Sequence, residues 1–186
     1  MSSAMPALGP LPSLGELERW AAANGLLLRL QVDRRLGVWT LRVGVACVRP
    51  EGPPALVGEL KGWALPTAAG LQLDTMRVVQ APPAVGPLIW AATFAWALEA
   101  TPCRRARLLA IRDEERQHRR LVRYFRRLGF TPQRELAARV GDLPLRLVWG
   151  GSGLLMSGSC SEGLRRSARL AQQLAIGPMR PRSLQE

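Results

Sequence analysis

Ten arginines crowd the stretch from Arg104 to Arg127, the strongest chemical signal in the sequence. On a helix, Arg116, Arg119, Arg120, Arg123 and Arg127 recur at i, i+3, i+4 spacing and share one face. Guanidinium groups in such a row grip phosphates through charge-assisted hydrogen bonds, whether on a nucleotide cofactor, RNA or DNA. The same run also reads as a solvated helix face, offset by Asp113, Glu114 and Glu115 at the end where the helix dipole favours acids. His118, the single histidine, lies among these arginines with no cysteine, serine or carboxylate motif beside it. That setting favours a structural role over a general base.

The whole chain is basic as well. Its 186 residues hold 26 basic and 14 acidic side chains, a formal net charge of +12, and Lys61 is the only lysine. Such an excess favours an anionic partner: phosphate groups, nucleic acid, an acidic protein or a membrane surface. Cys47, Cys103 and Cys160 are far apart and lack CxxC pairing, so they read as small thiols in a reducing compartment. No Walker loop, Gly-rich dinucleotide fingerprint, HExxH or zinc ligand set is present, and no metal site is expected. Met1 to Ser13 has no positive charge and no long apolar run, which argues against a secretory signal. The longest apolar stretch, Leu88 to Leu98, is about half of the ~20 residues that span a bilayer, so no transmembrane segment and a cytoplasmic location are expected. The six tryptophans read as core, since their spacing suggests no stacking platform.

The elements that must position these residues follow from patterning. Residues 1–12 are a Pro/Gly-rich lead-in, after which Ser13 and Glu16 form a capping box for a helix ending at Asn24-Gly25. Leu26 to Val32 and Trp39 to Val48 read as a β-hairpin, Leu56 to Leu65 as a third strand and Leu71 to Val79 as a fourth. Leu88 to Glu99 is apolar all round, which marks a buried helix. Arg107 to Arg112 is a short buried strand, Asp113 caps the basic helix, which runs to Leu128, and Leu145 to Trp149 is a last strand. Residues 13–150 thus form one domain, an α/β or α+β fold with a mixed, mostly antiparallel sheet flanked by helices. Residues 151–160 read as a Gly/Ser-rich linker, and 161–186 as a basic helix, capped by Ser161, with a tail.

This order of elements resembles the GNAT superfamily of acyl-CoA-dependent N-acyltransferases. Two stretches carry the resemblance: Leu71-Gln-Leu-Asp-Thr-Met-Arg-Val-Val79 with the following Gly86 loop and buried helix, and Leu108 to Arg112 with the helix ending Tyr124-Phe-Arg-Arg-Leu-Gly-Phe130. The resemblance implies acetyl-CoA or another acyl-CoA as cofactor and a small-molecule or protein amine as acceptor. It places the pyrophosphate on amides near Val85, Gly86 and Leu88, and the thioester on backbone groups of Met76 to Val78. Pro82, Pro83 and Pro87 donate no N–H to that cradle, and Gly86 is its one glycine. Counting back from Gly129-Phe130 puts Phe125 at the family's thiolate-protonating tyrosine, with Tyr124 one residue earlier. Glu59 and Asp74 are the general-base candidates that could deprotonate the amine. The alternative is a non-catalytic scaffold whose arginine helix docks RNA, an anionic membrane or an acidic protein.

Overall fold

The computed structural model describes residues 9–112, 114–137 and 151–175. Helix α1 (Leu14–Ala23) starts where the capping box places it. Ser13 Oγ accepts the Glu16 N–H at 3.2 Å, and the Glu16 carboxylate accepts the Ser13 N–H at 2.7 Å. Strands β1 (Leu26–Arg35) and β2 (Val38–Cys47) are joined by Leu36 and Gly37, both at positive φ (49° and 82°). That pair makes a two-residue turn whose twist matches an antiparallel hairpin. β3 (Ala55–Ala64) and β4 (Leu71–Val78) extend the antiparallel run, and α2 (Val85–Ala100) then crosses over to β5 (Arg105–Ile111), which pairs parallel with β4. After α3 (Glu115–Arg127) come β6 (Thr131–Leu136), β7 (Gly153–Ser159) and α4 (Cys160–Ala175). The sheet has seven strands in the order β1-β2-β3-β4-β5-β7-β6, with β7 inserted antiparallel between β5 and β6. The fold is α+β with a mostly antiparallel sheet.

Strand alternation explains where the core lies. Leu28, Val45, Gly58, Leu60, Leu71, Leu73, Ala106, Leu108 and Met156 sit on one sheet face, all buried, beneath the apolar α2. α1 and α4 flank α2, and α4 packs so closely that a Cβ on Gly163 would lie 2.6 Å from the Phe94 ring. α3 packs on β5 and leans Phe125 edge-on against Trp90, with ring centroids 5.9 Å apart. Among the described residues the other sheet face carries mostly polar and charged side chains, with half-buried Trp63, Leu109 and Leu155 among them.

Two expectations change. Residues 153–159, read as part of a linker, are the interior strand β7. Its glycines serve close backbone approach, since a Cβ on Gly153 would stand 2.3 Å from the Ala110 carbonyl oxygen. Helix α4 begins at Cys160, and Ser159, rather than Ser161, accepts the Glu162 N–H at 3.4 Å. The expected strand at Leu145 to Trp149 and the Asp113 cap lie outside the described residues. Among the described residues no helix is long and apolar enough to cross a membrane. The three cysteines are free thiols, and burial pushes that of Cys160 up to about 12.

Candidate functional site

The site forms where β4 and β5 part. Their parallel ladder covers only Leu71↔Ala106, Gln72↔Arg107 and Leu73↔Leu108. The next residue of β4, Asp74, is a bulge: Gly62 opposes Leu73 and Lys61 opposes Thr75, which leaves Asp74 without a partner on β3. A bulge bends its strand and raises the local twist, so the rest of β4 turns away from β5. Gly62 permits this, because a Cβ there would lie 2.7 Å from the Gln72 carbonyl oxygen. Thr75 to Val78 therefore have no ladder partner on the β5 side.

Three groups meet at the mouth of this gap. Met76 and Val78 oppose Leu60 and Gly58, so they face the helical layer. Gly86, in the first turn of α2, has room for a Cβ 3.6 Å from both the Met76 methyl and the Tyr124 hydroxyl. α3 ends just beyond Tyr124 in a tight reversal. The Phe130 N–H donates to the Phe125 carbonyl (3.0 Å) and the Gly129 N–H to that of Arg126 (3.1 Å), with Gly129 at φ 93°. Phe125 packs inward on Trp90 and Phe130, and Tyr124, the residue before it, lies at the gap. Counting along the sequence had put Phe125 there. Burial pushes the Tyr124 phenol up to about 12, and the buried Trp90 indole N–H opposes this only weakly. That N–H makes no hydrogen bond among the described residues. Tyr124 therefore holds its proton at neutral pH.

Beside Tyr124 lies a cavity of about 660 Å³, lined by Gln117, Arg120, Leu121, Arg123, Tyr124 and Arg127. It is a groove open to solvent, and every lining residue described belongs to α3. Arg120, Arg123 and Arg127 are thus gathered at one opening, whereas Arg116 lies outside the cavity lining and Arg119 is 3.7 Å from Glu115. At the α2 start, the Val85 N–H donates to the Pro82 carbonyl and the Leu88 N–H to that of Ala84, both at 3.0 Å, so Gly86 keeps the open amide of the three. The Val85 and Leu88 side chains are buried. No family model matches the chain, and neither a curated protein nor a solved structure matches it.

The remaining candidates stand apart. Asp74 is exposed at the bulge, on the strand that borders the gap. Glu59 opposes Arg77 and so lies on the sheet face away from Met76 and Tyr124. There Arg42 Nε approaches it to 2.8 Å and Lys61 Nζ to 3.7 Å. His118 is buried, with Nδ1 3.1 Å from the Ile111 carbonyl and Nε2 3.5 Å from Arg112 Nη2. Through these two contacts the ring fastens α3 to the end of β5. No group of His, Cys, Asp or Glu able to hold a metal occurs among the described residues.

Proposed function

We propose that the chain is a divergent GNAT-like N-acyltransferase that takes acetyl-CoA or another acyl-CoA and acylates an amine. The observation that carries the reading is the gap itself: two parallel strands that part at a bulge, with a protonated tyrosine at the opening and an arginine-lined groove of α3 beside that tyrosine. In this reading Arg120, Arg123 and Arg127 and the Gly86 amide hold cofactor phosphates. Backbone groups of Met76 to Val78, left open toward β5, take the amides of the pantetheine arm as an added strand would. Asp74 accepts the amine proton, directly or through water, and the nitrogen attacks the thioester carbonyl. The C–S bond then breaks, and Tyr124 protonates the leaving thiolate. Glu59, held between Arg42 and Lys61 on the opposite face, is the poorer base.

Isothermal titration of acetyl-CoA tests this. Binding that is lost in Arg120→Ala/Arg123→Ala/Arg127→Ala supports the reading, and no heat at millimolar cofactor overturns it. The second reading, a non-catalytic scaffold that docks RNA, an anionic membrane or an acidic protein on α3, draws on the loop. Pro82, Pro83 and Pro87 donate nothing, and two of the three expected amides are already engaged. It predicts salt-sensitive binding that Arg119→Glu/Arg120→Glu/Arg123→Glu abolishes.

A further inference from the structure

The described helices gather on one side of the sheet, and the other side has its own chemistry. α1, α3 and α4 each meet α2, which lies over the buried face. On the opposite face, among the described residues, the strand registers bring together Arg29, Arg42, Lys61, Arg77, Arg105 and Arg107, all exposed. Asp33 and Glu59 lie on that face and are engaged there, Asp33 by Arg35 at 2.8 Å, Glu59 by Arg42 and Lys61. Arg77 and Arg107 make no ion pair among the described residues, while Arg105 Nη2 donates to Ser157 Oγ at 3.2 Å. From β1 to β5 the cations spread over four strand spacings, about 19 Å. Half-buried in their midst is Trp63, flanked across the ladders by Thr40 and Gln72, two places from Lys61 along its own strand and one strand beyond Gln72 from Arg107.

We infer that this open sheet face binds single-stranded nucleic acid, with phosphates on the cation rows and a base stacked on Trp63. The surroundings of the ring select that partner. An acidic protein would need an apolar centre to bury, and here the centre is polar, formed by Thr40, Thr75 and Gln72 around one aromatic ring. Flat sheets that present an aromatic ring between basic side chains hold single strands, because every base has a stacking face and the backbone is uniformly anionic. Duplex DNA hides its bases from such a ring. The surface lies across the sheet from Tyr124 and the α3 cavity, so the inference does not depend on the acyltransferase reading.

The test is fluorescence anisotropy of a labelled mixed-sequence 20-mer RNA and the matching duplex, at 50 and 200 mM salt, with the full chain. Wild-type protein should bind the single strand more tightly than the duplex and lose affinity with salt. Trp63→Ala should weaken single-strand binding by roughly five- to a hundredfold, as loss of one stacked base does, while Trp63→Phe should keep most of it. Lys61→Ala/Arg77→Ala/Arg107→Ala should flatten the salt dependence by about 2 in log–log slope, at ~0.7 per phosphate contact. Thermal unfolding of each variant checks that it is folded, and the ring-retaining Trp63→Phe keeps the test sound if Trp63→Ala is not. The inference is overturned by absence of binding at 50 mM salt, by equal affinity for duplex or for polyglutamate, or by binding that follows Arg120→Ala/Arg123→Ala/Arg127→Ala instead of the sheet-face variants.

Discussion

The two ends of the β4–β5 boundary are built from the same strands and behave oppositely. At the near end, Leu71 and Leu73 pair in register with Ala106 and Leu108, all buried under α2, and the two halves of the sheet are sealed. One residue further, the Asp74 bulge turns β4 aside, and at the far end the strands face a half-buried Met76, an open glycine and a tyrosine hydroxyl instead of each other. Packing fixes the first end, and the second is where the proposed chemistry would take place. The sealed end is what allows the open one, because a gap between strands costs unpaired backbone groups that the adjoining core must offset.

Four substitutions break or sharpen this contrast. If the far end is catalytic, Tyr124→Phe lowers kcat by roughly 10²- to 10⁴-fold with little change in KM for the acyl-CoA, measured by thiol release. At the sealed end, Leu73→Ala removes a buried side chain and should cost about 2–5 kcal/mol in urea unfolding, with the gap residues untouched. Gly62→Ala pushes a methyl onto the Gln72 carbonyl at the hinge between the two ends and should cost about 1–3 kcal/mol. Remote from both, Ser13→Ala loses the α1 cap for about 1 kcal/mol and should leave acyl-CoA affinity unchanged.

A pH measurement addresses the far end alone, since Tyr124 is the only tyrosine in the chain. Its phenolate absorbance should titrate with a midpoint near 12, above the ordinary value of about 10. The sign follows from which state holds the proton more tightly. The native state does, so this group's contribution to stability is whole below about pH 10 and is lost as pH rises toward 12. Cys160, also raised to about 12, acts in the same direction, so Tyr124→Phe should reduce that alkaline loss without removing it.

Much of the sealed region was legible in the sequence. The Ser13–Glu16 box, the alternating strands from Leu26 to Val79 and the all-round apolar Leu88 to Glu99 each follow a period that one-sided or complete burial imposes. β6 escaped because Thr131-Pro-Gln-Arg-Glu-Leu136 is a largely exposed edge strand with a proline and no apolar alternation. β7 escaped for the opposite reason. It is interior, but its glycines, required by the Ala110 and Gly129 backbones, imitate a flexible linker. Of the site, the gap's residues, Tyr124 among them, were named from a family resemblance, although counting back from Gly129-Phe130 lands on Phe125. Adjacent helical residues point about 100° apart, and the packing of α3, with Phe125 against Trp90 and Phe130, sets which of the two turns inward; residue counting does not register that. Glu59 was named as a base because it is a strand carboxylate near the cleft in sequence, but strand parity sends it to the other face.

The central claim is that the far end of the β4–β5 boundary receives an acyl-CoA. Amide hydrogen exchange with and without acetyl-CoA tests it most directly. Protection is expected in 75–78 of β4, at Gly86 and along α3, with 71–73 unchanged because that end is already sealed. Exchange that is identical with and without millimolar acetyl-CoA, or protection confined to the opposite sheet face, would contradict it.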